Sequence, residues 1–156
     1  MIKLTRIDDR LMHGQVAFTW TPSLGVDCII VANDNVAKDE FQKMTLNLAK
    51  PPSAKLLIKS LAETIVFLND ARSANMKILI LINSVKDAST LSNEVAEIKS
   101  INFGGLRTKE GAKAISKAIA LTEEDISLIK QLYERGIELE VRQVPSDKKQ
   151  SIESLI

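Results

Sequence analysis

The chain has 156 residues, 45% hydrophobic and 26% charged, with a formal net charge of +1; this is the balance of one globular domain and excludes a disordered chain. Near-neutral charge and 4% aromatic residues leave no basic, aromatic-studded face for nucleic acid. One cysteine and one histidine exclude an internal disulfide and supply too few soft ligands for a zinc site, and no apolar run has the length of a leader or a bilayer span, so a cytoplasmic protein without a zinc site is expected.

IKLTRI (2–7) opens the chain as a strand, DDRLMHG follows as a loop, and GQVAFTW (14–20) opens the first helix. CIIVA (28–32) is the next strand, in which Cys28 is expected to be buried and inert. Residues 35–49 carry Ala37, Phe41, Met44 and Leu48 at helical spacing, which marks one buried face, and KPPS (50–53) ends that helix. KLLI (55–58) is a strand, and Ser60 with Glu63 forms a capping box at the start of another helix.

KILILI (77–82) is apolar on both faces, as befits a central strand with helices on each side. SINF (100–103), KAISKAIAL (113–121) and IELEVRQV (137–144) read as further strands. Between the last two, Thr122 and the acids that follow it cap a helix bearing Ile126, Ile129 and Tyr133, which Gly136 stops. The sum is a single α/β domain over residues 1–156: three layers, with a mainly parallel central sheet of about seven strands flanked by helices. Strand order is not legible at this level.

In open α/β sheets, chemistry gathers in the loops beyond the carboxyl ends of the strands. The first such loop holds the sole histidine, His13, at the expected start of a helix, where free amides favour an anion. Arg10 adds a fork of donors suited to phosphate and a charge that favours a neutral imidazole, whose free nitrogen is a nucleophile. Asp8 or Asp9 can hold the other ring nitrogen and fix the tautomer; the sequence leaves both open.

Two further loops reach the same edge. NFGGLRTKEG (102–111) has paired glycines that permit close backbone approach, although a plain tight turn is the reading to expect of them, and it lacks the Walker A pattern. VRQVPSDKK (141–149) follows the last strand, where Arg142 offers a second guanidinium for a transferring phosphoryl group. A receiver domain is disfavoured, because KLLIKS supplies no phospho-accepting aspartate, and a serine hydrolase lacks its nucleophile elbow.

RIDDRLMHGQV (6–16) resembles the D-R-L-x-H-G-Q-V signature of the IIB components of mannose/fructose/sorbose-type sugar phosphotransferase systems. Trp20, VAKDE (36–40), KPP, NFGG (102–105), ISKAIALTEED (115–125) and VRQVPSDKK are similar to family segments in the family order. Met12 stands where Ile or Val is usual, and NFGGL replaces a common N-V-G-G-M, both apolar for apolar.

The resemblance implies a protein-Nπ-phosphohistidine–sugar phosphotransferase that takes a phosphoryl group from a phosphorylated IIA component and gives it to a sugar held by the membrane IIC and IID components. His13 would carry the group through Nδ1, with Arg10 and Arg142 stabilising it and Asp8, Asp9, Gly14 and Gln15 as phosphate-loop or orienting residues. Such a carrier is cytoplasmic, peripherally associated with the permease, and uses no cofactor, metal or nucleic acid; the identity of the sugar and the choice between monomer and homo-oligomer stay open. Phe18, Trp20 and Leu24 are candidates for the docking surface, with core packing the expected duty of at least two. The alternative is an anion-binding or phosphorylation-responsive regulatory module, which uses the same groups without sugar transfer.

Overall fold

The computed structural model describes residues 1–14 and 16–156. The β-branched and leucine-rich runs form β1 (Ile2–Asp8), β2 (Cys28–Ala32), β3 (Lys55–Lys59), β4 (Ile78–Ile82), β5 (Ser100–Gly105) and β8 (Glu138–Val141), joined at one edge by the short β9 (Gln150–Ser151). The sheet order is β3-β2-β4-β1-β5-β8-β9, parallel except for the antiparallel β8–β9 pair.

Side-chain alternation divides the core between the faces of the sheet. On β4, Ile78, Ile80 and Ile82 enter one apolar cluster, while Leu79 and Leu81 enter the other. The first cluster is covered by α3 (Leu61–Leu68), α4 (Val85–Glu94) and α5 (Glu123–Glu134), through side chains such as Leu68, Leu91 and Leu132. The second is covered by a π-helical turn (Val16–Trp20) running into α1 (Thr21–Leu24), and by α2 (Glu40–Ala49), through Val16, Trp20 and Leu46. Helices on both faces of a mostly parallel sheet complete the expected three layers. Cys28 lies in β2 at 1% exposure, and burial pushes its thiol above the ordinary value.

The capping sequences act as their chemistry dictates. The Ser60 hydroxyl accepts from the Glu63 amide at 3.1 Å and the Glu63 carboxylate accepts from the Ser60 amide at 3.1 Å; Thr122 and Asp125 reciprocate in the same way before α5. Gly136 follows α5 at φ +80, the left-handed conformation that glycine adopts without strain.

Two expectations are corrected. KAISKAIAL is not one strand: β6 (Lys113–Ala114) and β7 (Ala120–Leu121) pair with each other as an antiparallel ribbon outside the main sheet, and the Ile115 amide donates to the Ile119 carbonyl at 2.9 Å. A continuous strand would set Lys113 and Lys117 on the same face as Ile115, Ile119 and Leu121, so burying that face would bury unpaired ammonium groups. The seventh strand of the main sheet is instead β9.

The face marked by Phe41, Met44 and Leu48 is also not buried, at 76%, 60% and 84% exposure. The helix starts later than its apolar spacing suggests: Asp39 is the N-cap, accepting from the Gln42 amide at 3.1 Å, and Ala37 belongs to a separate 3-10 turn, Val36–Lys38. Leu46, on the opposite side of α2, is the buried residue. Among the described residues no helix is long and apolar enough to cross a membrane.

Candidate functional site

β1 lies between β4 and β5, at the place where the chain turns from building one half of the sheet to building the other. The crevice beyond the carboxyl ends of such strands is where open α/β sheets bind ligands. β1 ends at Asp8, and a tight turn follows, in which the Leu11 amide donates to the Asp8 carbonyl at 2.9 Å and buried Leu11 takes φ +56. A left-handed leucine is strained by about 1 kcal/mol. The strained turn brings the chain back over the strand end. The His13 carbonyl then accepts from the Ala17 amide at 3.0 Å, which sets His13 at the beginning of the helical segment, as expected.

The His13 ring meets Asp8. Nε2 lies 2.9 Å from Asp8 Oδ2 and 3.4 Å from Arg10 Nη2. A guanidinium only donates and an ionised carboxylate only accepts, so the closer, oppositely charged partner assigns the Nε2 proton to Asp8. In the neutral ring this tautomer leaves the free lone pair on Nδ1, with Arg10 as a neighbouring cation. The His13 side chain keeps 17% of its surface exposed, and Arg10 is exposed.

Asp8 is 2% exposed and meets three donors: Oδ1 accepts from the Arg10 amide at 3.0 Å, and Oδ2 accepts from Arg6 Nη2 at 3.2 Å as well as from His13. Asp9 points elsewhere, accepting from the Arg107 amide at 2.8 Å and from Arg107 Nε at 2.9 Å. The two aspartates that the sequence left undivided therefore do different things. Asp8 holds the imidazole, and Asp9 ties the segment after β5 to the His13 loop.

Arg142 sits with its guanidinium 4.9 Å from the centre of the Trp20 ring and donates to Glu140 Oε1 at 3.3 Å. Among the described residues its side chain makes no hydrogen bond or ion pair with His13. Gly14 is exposed, with open space where a side chain would stand. Gln15 lies outside the described residues. Trp20 is 1% exposed and donates to the Gln143 carbonyl at 2.9 Å, Leu24 packs on the same cluster, and Phe18 is 61% exposed.

The paired glycines close β5 and do not form a turn: β5 runs through Gly105, and a Cβ on Gly104 would overlap the Arg6 guanidinium. What the backbone approaches there is the protein's own side chain. Arg6, buried within β1, is the participant that sequence reasoning passed over. The signal was present, since Arg6 and Asp8 are two apart in a strand and so share a face.

Two hollows flank the loop. One of about 810 Å³ is bounded by Asp9, Arg10, Gly105, Arg107 and Lys117, and one of about 450 Å³ by Arg10, Leu11, Asn33, Phe41 and Asn83. Arginine and lysine side chains thus edge accessible space next to the loop that carries His13, a setting for an anion. Among the described residues no group of three or more His, Cys, Asp or Glu side chains comes together as a metal-ligand set.

Comparison with known proteins gives this geometry its context. The family model described as "PTS system sorbose subfamily IIB component" matches residues 2–156. The mannose-specific EIIAB component of Escherichia coli K12 is 38% identical over 156 residues, covering 100% of this chain and 48% of that protein. The chain thus spans about half the length of that relative, but 93% of the sorbose-specific EIIB component of Lacticaseibacillus casei, which is 32% identical and covers 97% of this chain. The crystal structure of the IIBSor domain of the sorbose permease from Klebsiella pneumoniae superposes with a TM-score of 0.93 at 32% identity, covering 97% of this chain and 93% of that one. The chain belongs to the sorbose-type IIB family of the sugar phosphotransferase system.

Proposed function

We propose that this chain is a phosphoryl carrier that accepts the group on His13 Nδ1 from a phosphorylated IIA component and passes it to a sugar presented by the membrane IIC and IID components. The observation that supports this most directly is the 2.9 Å contact between His13 Nε2 and Asp8 Oδ2, which occupies one ring nitrogen and frees the other. In the first step the Nδ1 lone pair attacks phosphorus, the N–P bond of the donor breaks, and the donor imidazole keeps that electron pair. The loaded His13 ring, substituted at Nδ1 and protonated at Nε2, carries a positive charge, which the Asp8 carboxylate stabilises. Arg10, exposed and 3.4 Å from Nε2 in the unphosphorylated protein, is the side chain this reading assigns to the phosphoryl oxygens.

In the second step a sugar hydroxyl oxygen attacks phosphorus, the bond to Nδ1 breaks, and the hydroxyl proton leaves to a base on the acceptor side or to water. Arg142, held against Trp20 and Glu140, contributes positive potential to the loaded site. In this reading both partners reach the partly exposed His13 in turn, and the carrier works in the cytoplasm at the face of the permease.

Incubation with phosphoenolpyruvate, the general phosphotransferase proteins and a phosphorylatable IIA, followed by intact-protein mass spectrometry, tests this reading. One acid-labile phosphoryl group is expected, absent from a folded His13→Ala variant. Phosphorylation persisting in that variant excludes His13, and a chain left unmodified by a phosphorylated IIA favours the regulatory anion-binding alternative.

A further inference from the structure

Arg6 is 1% exposed, in a strand where Ile7 beside it is fully buried. Burying a guanidinium is costly, and burial lowers the Arg6 pKa from its ordinary value, with Asp8 opposing that shift. The surroundings are shaped to hold it. Nη1 donates to Asn102 Oδ1 at 2.9 Å and to the Arg142 carbonyl at 3.1 Å, Nη2 donates to Asp8 Oδ2 at 3.2 Å, and the guanidinium carbon lies 5.5 Å from the centre of the Trp20 ring. Position 104 must be glycine for that guanidinium to fit.

The oxygen that Arg6 grips, Asp8 Oδ2, is the oxygen that receives His13 Nε2. Arg6 is therefore one carboxylate removed from the imidazole and is itself sealed from solvent. A buried carboxylate without a cation favours its neutral form, which competes poorly for an imidazole N–H. We infer that Arg6 is a positioning residue for phosphoryl acceptance: it holds the Asp8 carboxylate in place, so that Oδ2 captures the Nε2 proton of His13 and Nδ1 is presented to the incoming group. Its consequence for transfer rests on the carrier reading, whereas the coupling of Arg6 to His13 is readable in the unphosphorylated protein.

Because His13 is the sole histidine, ¹⁵N-histidine labelling gives one imidazole to observe. The wild type is expected to show a downfield Nε2–H proton protected from solvent exchange. In Arg6→Gln that proton is lost to exchange, and kcat for phosphoryl acceptance falls on the order of 100-fold, the usual cost of a small misplacement, while KM for phosphorylated IIA is unchanged, since Arg6 touches no partner. Arg6→Lys, with charge but no planar fork, falls between the two. Gly104→Ala supplies a second route if Arg6→Gln does not fold, because it displaces the guanidinium while every charge remains.

Folded variants that keep both the protected proton and the wild-type kcat overturn the inference, as does a change confined to KM. A wild type that takes no phosphoryl group while the proton is still lost in the variants defeats the carrier reading and leaves the positioning intact. Normal transfer by the wild type, with the proton retained in Arg6→Gln, does the reverse.

Discussion

Asp8 and Asp9 are adjacent and chemically identical, yet one is 2% exposed against an imidazole and an arginine, and the other makes a more exposed pair with Arg107, whose side chain is 74% exposed. The difference follows from where β1 ends: Asp8 keeps the strand's alternation and shares a face with Arg6, whereas Asp9 lies beyond the strand end, in the turn. Asp8→Asn is expected to slow phosphoryl acceptance by at least about 100-fold, because the neutral amide cannot balance a charged ring. Asp9→Asn removes an ion pair worth less than about 1 kcal/mol and should leave the rate within a few-fold. Transfer assays on the two variants side by side check the division, and equal losses would abolish it. Arg10→Lys should slow transfer about 10-fold, since an ammonium lacks the two-point fork; a wild-type rate would remove Arg10 from the chemistry.

At the scale of elements, α2 separates amphipathicity from burial. Apolar spacing identifies a stripe but does not say that another layer covers it, and Phe41, Met44 and Leu48 form a stripe with nothing from this chain over it among the described residues. Phe41→Ser and Leu48→Ser are therefore expected to shift stability by less than about 0.5 kcal/mol. Leu46→Ala, which empties a site at 9% exposure, should cost about 2–3 kcal/mol. Urea unfolding of the three variants distinguishes this helix from one packed on its apolar stripe, for which the ranking inverts. Elements whose ends are set by local chemistry were legible in advance, as Ser60 with Glu63 and Thr122 with Asp125 show. The 113–121 segment and the α2 stripe were not, because what decides them is the neighbour in space: a strand partner for one and a covering layer for the other.

Across the whole molecule the same division holds, and it bears on how the fold responds to acid. Runs that are apolar on both faces, such as β4, announce a covered parallel sheet, while the order that puts β1 between β4 and β5, and so builds the site around Asp8, depends on pairings far apart in the chain. Carboxylates that hold this architecture at helix and turn starts are depressed by hydrogen bonds: Asp39 by the Gln42 amide, Glu63 by the Ser60 amide and Asp70 by the Arg72 amide, each below its ordinary value of 3.8 or 4.5. A depressed carboxylate stabilises the fold fully above its unfolded value, and that contribution is lost as pH falls through the folded value. Asp87, at the start of α4, is opposite in sign, since burial and then Asp34 raise it above 3.8. Its contribution is present below the unfolded value and disappears as pH rises through the folded value, so charged Asp87 weakens the fold at neutral pH. On acidification below the ordinary carboxylate range the three depressed groups lose their contribution, while Asp87 moves the other way. Its raised value predicts that Asp87→Asn, close in shape to the protonated acid, gains stability relative to the wild type as pH rises, with the difference levelling off below about 3.8. Urea midpoints for both proteins between pH 3 and pH 7 measure that difference, as conditions set by the ordinary carboxylate range of about 3.9–4.3. A difference that does not change with pH would mean that the Asp87 charge is as well solvated in the fold as in the unfolded chain.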